Sequence, residues 1–257
     1  MIEKNPLKER LASGKPALGT WNTLAAPLVT EALAHAGLDF VIVDFEHGPF
    51  QIDKVHEYVN CCERHGTSPL VRIPSAADWM ALQALDQGAH GIMVPHVDDA
   101  RTAESIVRSA RYYPKGTRGY TPFTKAGGFS PEKAGAYTDR ANNLVLTAAL
   151  IESRESLENL DSILAVDGLD IVYFGAYDLS QAVGVPGRVD DPKVLKAVED
   201  GVKKAADAGK AAGGFVARSQ EDVRRLLGMG MTFITYDVDT SILSRPVQAI
   251  TDWFKGL

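Results

Sequence analysis

The strongest constraint in this sequence is a rhythm. Short, apolar, β-branched runs alternate with longer stretches of helical spacing, and many of the helical stretches stop at a glycine. PALGTW (16–21) is followed by APLVTEALAHAG, and FVIVDF (40–45) by IDKVHEYVNCCERHG. PLVRIP (69–74) leads into DWMALQALDQG, and GIMVP (91–95) into DDARTAESIVRSARYY. Residues 114–135 are rich in Gly, Pro, Thr and Lys and read as a long loop. The pattern then resumes with LVLTAALIE (144–152) and the helical ESLENLDSILAV. DIVYFG (170–175), AAGGFVA (211–217) and FITYDVD (233–239) complete eight runs, each followed by a helical stretch. Near-continuous apolar strands suit parallel strands buried on both faces. Eight such units in 257 residues predict a closed, parallel (β/α)8 TIM barrel forming one domain, 1–257. A doubly wound open sheet is the competitor, but the glycine-rich dinucleotide and phosphate loops that mark it are absent.

Composition narrows the partners. With Lys+Arg 27 against Asp+Glu 33, the formal charge is −6, and no long basic run occurs. A nucleic acid or an anionic membrane surface has no electrostatic footprint here. No window approaches ~18 uninterrupted apolar residues, so no transmembrane span is expected. The start of the chain lacks the apolar core of a signal peptide. The two cysteines, Cys61 and Cys62, are adjacent and read as buried helix thiols. A reducing cytoplasm is therefore the expected compartment.

In a barrel of this kind, reactive groups cluster at the C-terminal ends of the strands. Those ends carry Trp21 and Asn22, then Asp44, Glu46 and His47, then Arg72 and His96. The later strands add Glu152, Tyr177 and Asp178, Arg218, and Asp237 and Asp239. Glu152 and Asp178 lie one βα unit apart, beyond consecutive strands. Two carboxylates with water and substrate oxygens suit a hard divalent cation such as Mg²⁺ or Mn²⁺, with Co²⁺ as a further candidate. The plainer alternative is a pair of solvated carboxylates at the barrel mouth. Asp44 beside His47 would fix the imidazole's tautomer and raise its basicity, the build of a general base. The alternative is an ordinary loop histidine near an acid. Arg72 ends an otherwise apolar strand, which is costly unless it meets an anion, either a substrate or a neighbouring acid. Small residues from Gly175 to Asp178 lead into a turn whose N–H groups could cradle a carboxylate. No lysine sits at the end of strands two to six, which disfavours a Schiff-base mechanism, and no G-x-S-x-G elbow is present.

Several segments taken in order resemble the HpcH/HpaI aldolase family of metal-dependent (class II) pyruvate aldolases. They are GTWNTLAAPLVTEALAHAGLDFVIVDFEHGPF (19–50), LVRIP, LDQGAHGIMVPHV (85–97), IESRESLENLDSIL (151–164) and DGLDIVYFGAYDLSQAVG (167–184). The resemblance implies a (β/α)8 barrel, assembled as a hexamer or trimer, with the last helix packing on a neighbouring subunit. It implies Glu152 and Asp178 as metal ligands, His47 as base supported by Asp44, and Arg72 against the keto oxygen of pyruvate. It also implies a carboxylate cradle from the N–H groups of Ala176, Tyr177 and Asp178, and a pocket wall at Trp21. Asp86 falls where the family places an acid that reaches a neighbour's site. Three departures lie where an aldehyde would be held: Leu150 in place of a Gln, Ala176–Tyr177 in place of Pro–Ala, and the loop RGYTPFTKAGGF. The expected reaction is reversible cleavage of a 4-hydroxy-2-oxo acid to pyruvate and an aldehyde. The competing expectations are a 2-oxo acid decarboxylase using the same site, a CoA-ester lyase of the citrate-lyase β type, and a barrel kept only for interaction.

Overall fold

Each apolar run forms a strand. The computed structural model describes residues 3–257 and contains β1 (Ala17–Asn22), β2 (Phe40–Asp44), β3 (Ser68–Arg72) and β4 (Gly91–Val94). It continues with β5 (Leu146–Ile151), β6 (Ile171–Phe174), β7 (Ala211–Gly214) and β8 (Phe233–Val238). The strands close into a barrel in sequence order, each parallel to the next, with β8 returning to β1.

Strand alternation sorts the side chains into two layers. Phe40, Ile42, Leu70, Met93, Leu146, Ala148, Leu150, Ile171, Tyr173 and Phe233 form one buried cluster. Val41, Val43, Val71, Ile92, Ala149, Ile151 and Val172, of opposite parity, form another with residues of the surrounding helices. The first cluster is the packed barrel interior. Glycine makes room there: a Cβ at Gly19 would fall 2.3 Å from the Phe40 ring, which itself stacks on Phe233 at 4.0 Å. The same parity sets what the strand ends present. Asp44 continues the inward series Phe40–Ile42, Arg72 continues Leu70, and Glu152 continues Leu146–Ala148–Leu150. All three line the cavity at the barrel mouth.

The surrounding helices include α2 (Pro27–His35), α3 (Val55–Glu63), α4 (Asp78–Asp86), α5 (Ala100–Ala110), α10 (Pro192–Asp207) and α11 (Gln220–Gly228). Cys61 and Cys62 are buried free thiols of α3. Several elements differ from the sequence reading. A helix before β1, α1 (Pro6–Ala12), closes the N-terminal end of the barrel. Its Leu7 joins the interior cluster, and the preceding Asn5 donates to the carbonyls of His90 and Leu144 at 3.0 and 2.8 Å. The long loop read over 114–135 runs into a helix the sequence does not announce, α6 (Ala134–Leu144). That segment, AGAYTDRANNL, lacks a clear apolar stripe, and tertiary contacts hold it. Asn142 accepts from the Tyr112 N–H at 2.6 Å and donates to the Tyr112 carbonyl at 3.0 Å. The single helix expected after β5 is split at Asn159 into α7 (Arg154–Glu158) and α8 (Leu160–Leu164). The GAYDLS turn is a short helix, α9 (Ala176–Ala182). β7 stops at Gly214 because Phe215 takes a left-handed φ of 54°. Asp239 opens the last helix, α12 (Asp239–Lys255), rather than ending a strand. Among the described residues, no helix is long and apolar enough to cross a membrane.

Candidate active site

A cavity of about 420 Å³ occupies the barrel mouth, lined among others by Trp21, Asp44, His47, Arg72, Glu152 and Asp178. Its centre is Arg72. Nε and Nη2 donate to Oδ1 and Oδ2 of Asp44 at 2.8 and 2.6 Å, a two-pronged contact between neighbours paired in register on β2 and β3. Nη1 lies 2.9 Å from Glu46 Oε2, and the guanidinium carbon stands 4.5 Å over the Trp21 ring. Burial works against this cation. The hydrogen bond and charge of Asp44, together with Glu46 and Glu152, outweigh that burial and raise its pKa. The guanidinium has five N–H bonds, of which the two hydrogen bonds to Asp44 take two.

Among the described residues, the Asp44 carboxylate makes no hydrogen bond with the His47 ring; its side-chain partner is Arg72. It meets His47 only through the backbone, accepting the N–H groups of Glu46 and His47 at 3.0 and 3.2 Å and so folding the turn after β2. The His47 side chain is exposed and lines the cavity.

Glu152 and Asp178 face the same cavity. Glu152 is buried, and its Oε1 accepts the His96 N–H at 2.8 Å, with His96 Nδ1 at 3.1 Å. Burial pushes the Glu152 carboxyl up. The His96 N–H and ring oppose this, while the charges of Asp178 and Glu46 add to it. Asp178 sits in the first turn of α9, exposed, accepting from Gln181 Nε2 at 3.1 Å. The first N–H groups of α9, those of Ala176, Tyr177 and Asp178, have no intrahelical acceptor. Gly175 is the close-approach point: a Cβ there would lie 3.0 Å from Glu152 Oε2. His96 appeared in the sequence only as a strand-end residue. Its contribution depends on a left-handed φ of 54°, which turns its N–H towards Glu152.

Other strand-end residues have structural work. Asp239 accepts from Asn22 Nδ2, the Thr23 and Leu24 N–H groups, and the Thr23 hydroxyl, at 2.7–2.9 Å, clamping the turn after β1. Asp237 pairs with Arg245 of α12. Asp86 does not line this cavity; it accepts from Arg118 Nη2 at 2.7 Å and so anchors the loop after α5. Among the described residues, no group of three or more His, Cys, Asp or Glu side chains is placed to hold a metal ion. A cation here would have two protein carboxylates, Glu152 and Asp178, and take its remaining oxygens from substrate and water.

The family model for HpcH/HpaI aldolase/citrate lyase matches residues 17–246. The chain belongs to that family. Relatives of this HpcH/HpaI chain span nearly its whole length. The 4-hydroxy-2-oxo-heptane-1,7-dioate aldolase of Klebsiella pneumoniae subsp. pneumoniae is 36% identical, covering 97% of this chain and 94% of its own. The hydroxypyruvate/pyruvate aldolase of Pseudomonas aeruginosa is 35% identical, covering 98% and 93%. The crystal structure of the HpcH/HpaI aldolase from Desulfitobacterium hafniense DCB-2 superposes with a TM-score of 0.91 at 32% identity, covering 98% of this chain and 97% of that one. Identity at this level over both full lengths supports an aldolase.

Proposed function

We propose that this chain is a divalent-metal-dependent aldolase that reversibly cleaves a 4-hydroxy-2-oxo acid into pyruvate and an aldehyde. The observation that carries the reading is the mouth itself. One buried guanidinium, fixed by Asp44 and Glu46 with N–H bonds to spare, shares a cavity with Glu152 and Asp178. Four carboxylates around one arginine leave a surplus of negative charge, and oxygen donors of this type suit Mg²⁺ or Mn²⁺. Glu152 and Asp178 would hold the ion. When bound, it would supply Lewis acidity toward a 2-keto oxygen.

The chain's own groups divide the remaining work. The free N–H bonds of Arg72 meet the negative charge that develops on the keto oxygen as the C3–C4 bond breaks. The N–H groups of Ala176, Tyr177 and Asp178 receive the substrate carboxylate. Trp21 walls the pocket and backs the guanidinium. His47 takes the C4 hydroxyl proton, the C3–C4 electron pair passes to the pyruvate fragment, and the aldehyde leaves. A proton then adds at C3 to complete the methyl group. In the reverse direction, His47 returns its proton to the aldehyde oxygen.

The test is exchange of the pyruvate methyl protons in D₂O, followed by NMR on metal-stripped protein with and without Mg²⁺ or Mn²⁺. Metal-dependent loss of the signal supports the reading, and no exchange overturns it. His47→Ala is expected to lower kcat for aldol cleavage by about 100- to 10,000-fold, the usual weight of a general base. It should have far less effect on KM. An unchanged kcat would remove His47 from the reaction.

Assembly with further copies of the chain is part of the same proposal. Leu243, Val247, Ile250, Trp253 and Phe254 of α12 are each more than half exposed, and most lie along one helical face. Such a stripe on a monomer would be unusual. Light scattering coupled to size exclusion should give a trimer or hexamer; a monomer would refute it.

A further inference from the structure

The turn that follows β4 holds a residue in a conformation uncommon outside glycine. His96 has a φ of 54°, in the left-handed region. Such a residue persists where its surroundings over-determine it. Here the clamp is the stretch of chain that carries Glu152. Val97 is fully buried, and its N–H reaches the Leu150 carbonyl of β5 at 3.4 Å. The Asp98 carboxylate accepts from the Ser153 hydroxyl, and Asn159 Nδ2 donates to the Asp98 carbonyl at 2.9 Å. Residues on both sides of Glu152 therefore pin the turn after β4 in place.

The bend delivers one hydrogen bond, from the His96 N–H to Glu152 Oε1 at 2.8 Å. The imidazole is less engaged. It is 69% exposed and does not line the cavity, with Nδ1 at 3.1 Å from Glu152 Oε1 and Nε2 at 3.9 Å from Glu46 Oε1. With Oε1 held by the backbone, the other oxygen of Glu152 is the one left to bind. Oε2 lies beside Gly175, where a Cβ would stand 3.0 Å from it. Gly175 caps α9, whose first turn carries Asp178. The second oxygen of one carboxylate thus lies beside the helix start that supplies the other.

We propose that His96 is a positioning residue, and that its left-handed backbone, rather than its imidazole, fixes Glu152 so that Oε2 is presented to the divalent cation. This rests on the metal reading of the same cavity. A carboxylate with one oxygen already held loses less rotamer freedom when an ion binds the other. Groups that orient a metal ligand in this way typically carry about 10- to 100-fold in affinity.

The test titrates Mn²⁺ into metal-stripped protein and reads free Mn²⁺ by electron paramagnetic resonance, with Glu152→Gln as the reference for loss of a ligand. His96→Gly and His96→Asn remove the imidazole but enter the left-handed region readily, so both should keep the unmodified affinity. His96→Val also removes the imidazole, and a β-branched residue is a genuine outlier there, so its affinity should fall about 10- to 100-fold. His96→Ala should bind more weakly than His96→Gly, although neither has a ring. Circular dichroism checks that each variant is folded; if His96→Val is not, the Gly–Ala pair decides, and equal affinity in that pair overturns the proposal. Val binding as tightly as the unmodified protein also overturns it. So does a loss in Gly and Asn as large as that in Val, which would assign the role to the imidazole. If Mn²⁺ binds the unmodified protein and is lost in Glu152→Gln while no His96 variant changes it, only the positioning role fails. If the unmodified protein binds no Mn²⁺, the metal reading fails with it.

Discussion

Glu152→Gln is expected to lose metal-dependent exchange of the pyruvate methyl protons and, in the metal-free state, to unfold at a higher temperature than the unmodified protein. Loss of a group that only supports a metal ligand costs about 10- to 100-fold in affinity or activity. Loss of the ligand itself should therefore exceed about 100-fold. The stability gain has a separate origin. Burial pushes the Glu152 carboxyl up, and Asp178 and Glu46 push it further, so its ionised form is disfavoured in the folded chain. A folded-state pKa above the unfolded one means the folded protein binds the extra proton. Its stability is then full below the unfolded-state pKa and is lost as pH rises through the folded one. Glutamine carries no charge, yet its carbonyl oxygen can still accept the His96 N–H. The advantage of Glu152→Gln should thus be absent in acid and reach its full size once pH has passed the raised pKa. For a chain of this size each 1 kcal/mol gained corresponds to roughly 2–4 °C in Tm. Calorimetry across pH beside the exchange assay reads both effects. A Gln variant that keeps its exchange would remove Glu152 from the metal site. One that exchanges nothing but is no more stable would mean the carboxylate's crowding is relieved in some other way.

The second large effect concerns the Asp44–Arg72 pair. Both groups are almost fully buried, so removing one partner strands the other in a poorly solvated site. Breaking such a pair typically costs about 3–5 kcal/mol. Arg72→Ala and Asp44→Ala should each destabilise the fold by that order in urea unfolding. The double variant should cost clearly less than the sum, because the two groups share one interaction. Activity should fall in both single variants, since Asp44 determines where the Arg72 N–H bonds point. If Asp44 acted through the His47 ring instead, Asp44→Ala would couple energetically to His47→Ala rather than to Arg72→Ala. That outcome would tie Asp44 to the His47 ring.

The two cases show why some of the site was legible and some was not. Strand alternation made Asp44, Arg72 and Glu152 readable as mouth residues, because parity along a strand is a local property. Glu152 and Asp178 could be paired because consecutive parallel strands end side by side. The partner of Asp44 could not be read the same way. His47 is three residues away and looked like the natural recipient, but the turn after β2 uses the Asp44 carboxylate to fold itself, and the neighbouring strand places Arg72 directly beside it. Asp239 misled similarly. It follows an apolar strand, yet its carboxylate collects donors from the turn after β1, a neighbour that exists only once the barrel closes.

The eight-fold alternation of apolar runs and helical stretches was sufficient by itself for the closed barrel. Hydrophobic burial follows periodicity, and periodicity is written residue by residue. It also located the mouth and most of the charged groups around it. The helices that sequence reading passed over, α1, α6 and α9, are short or weakly amphipathic and are held by contacts with distant elements. Only the tertiary structure decided which acid neutralises which cation and that His96 turns back on Glu152 through a left-handed residue. Ion pairing and backbone strain depend on distances between groups remote in sequence, and folding alone sets those distances.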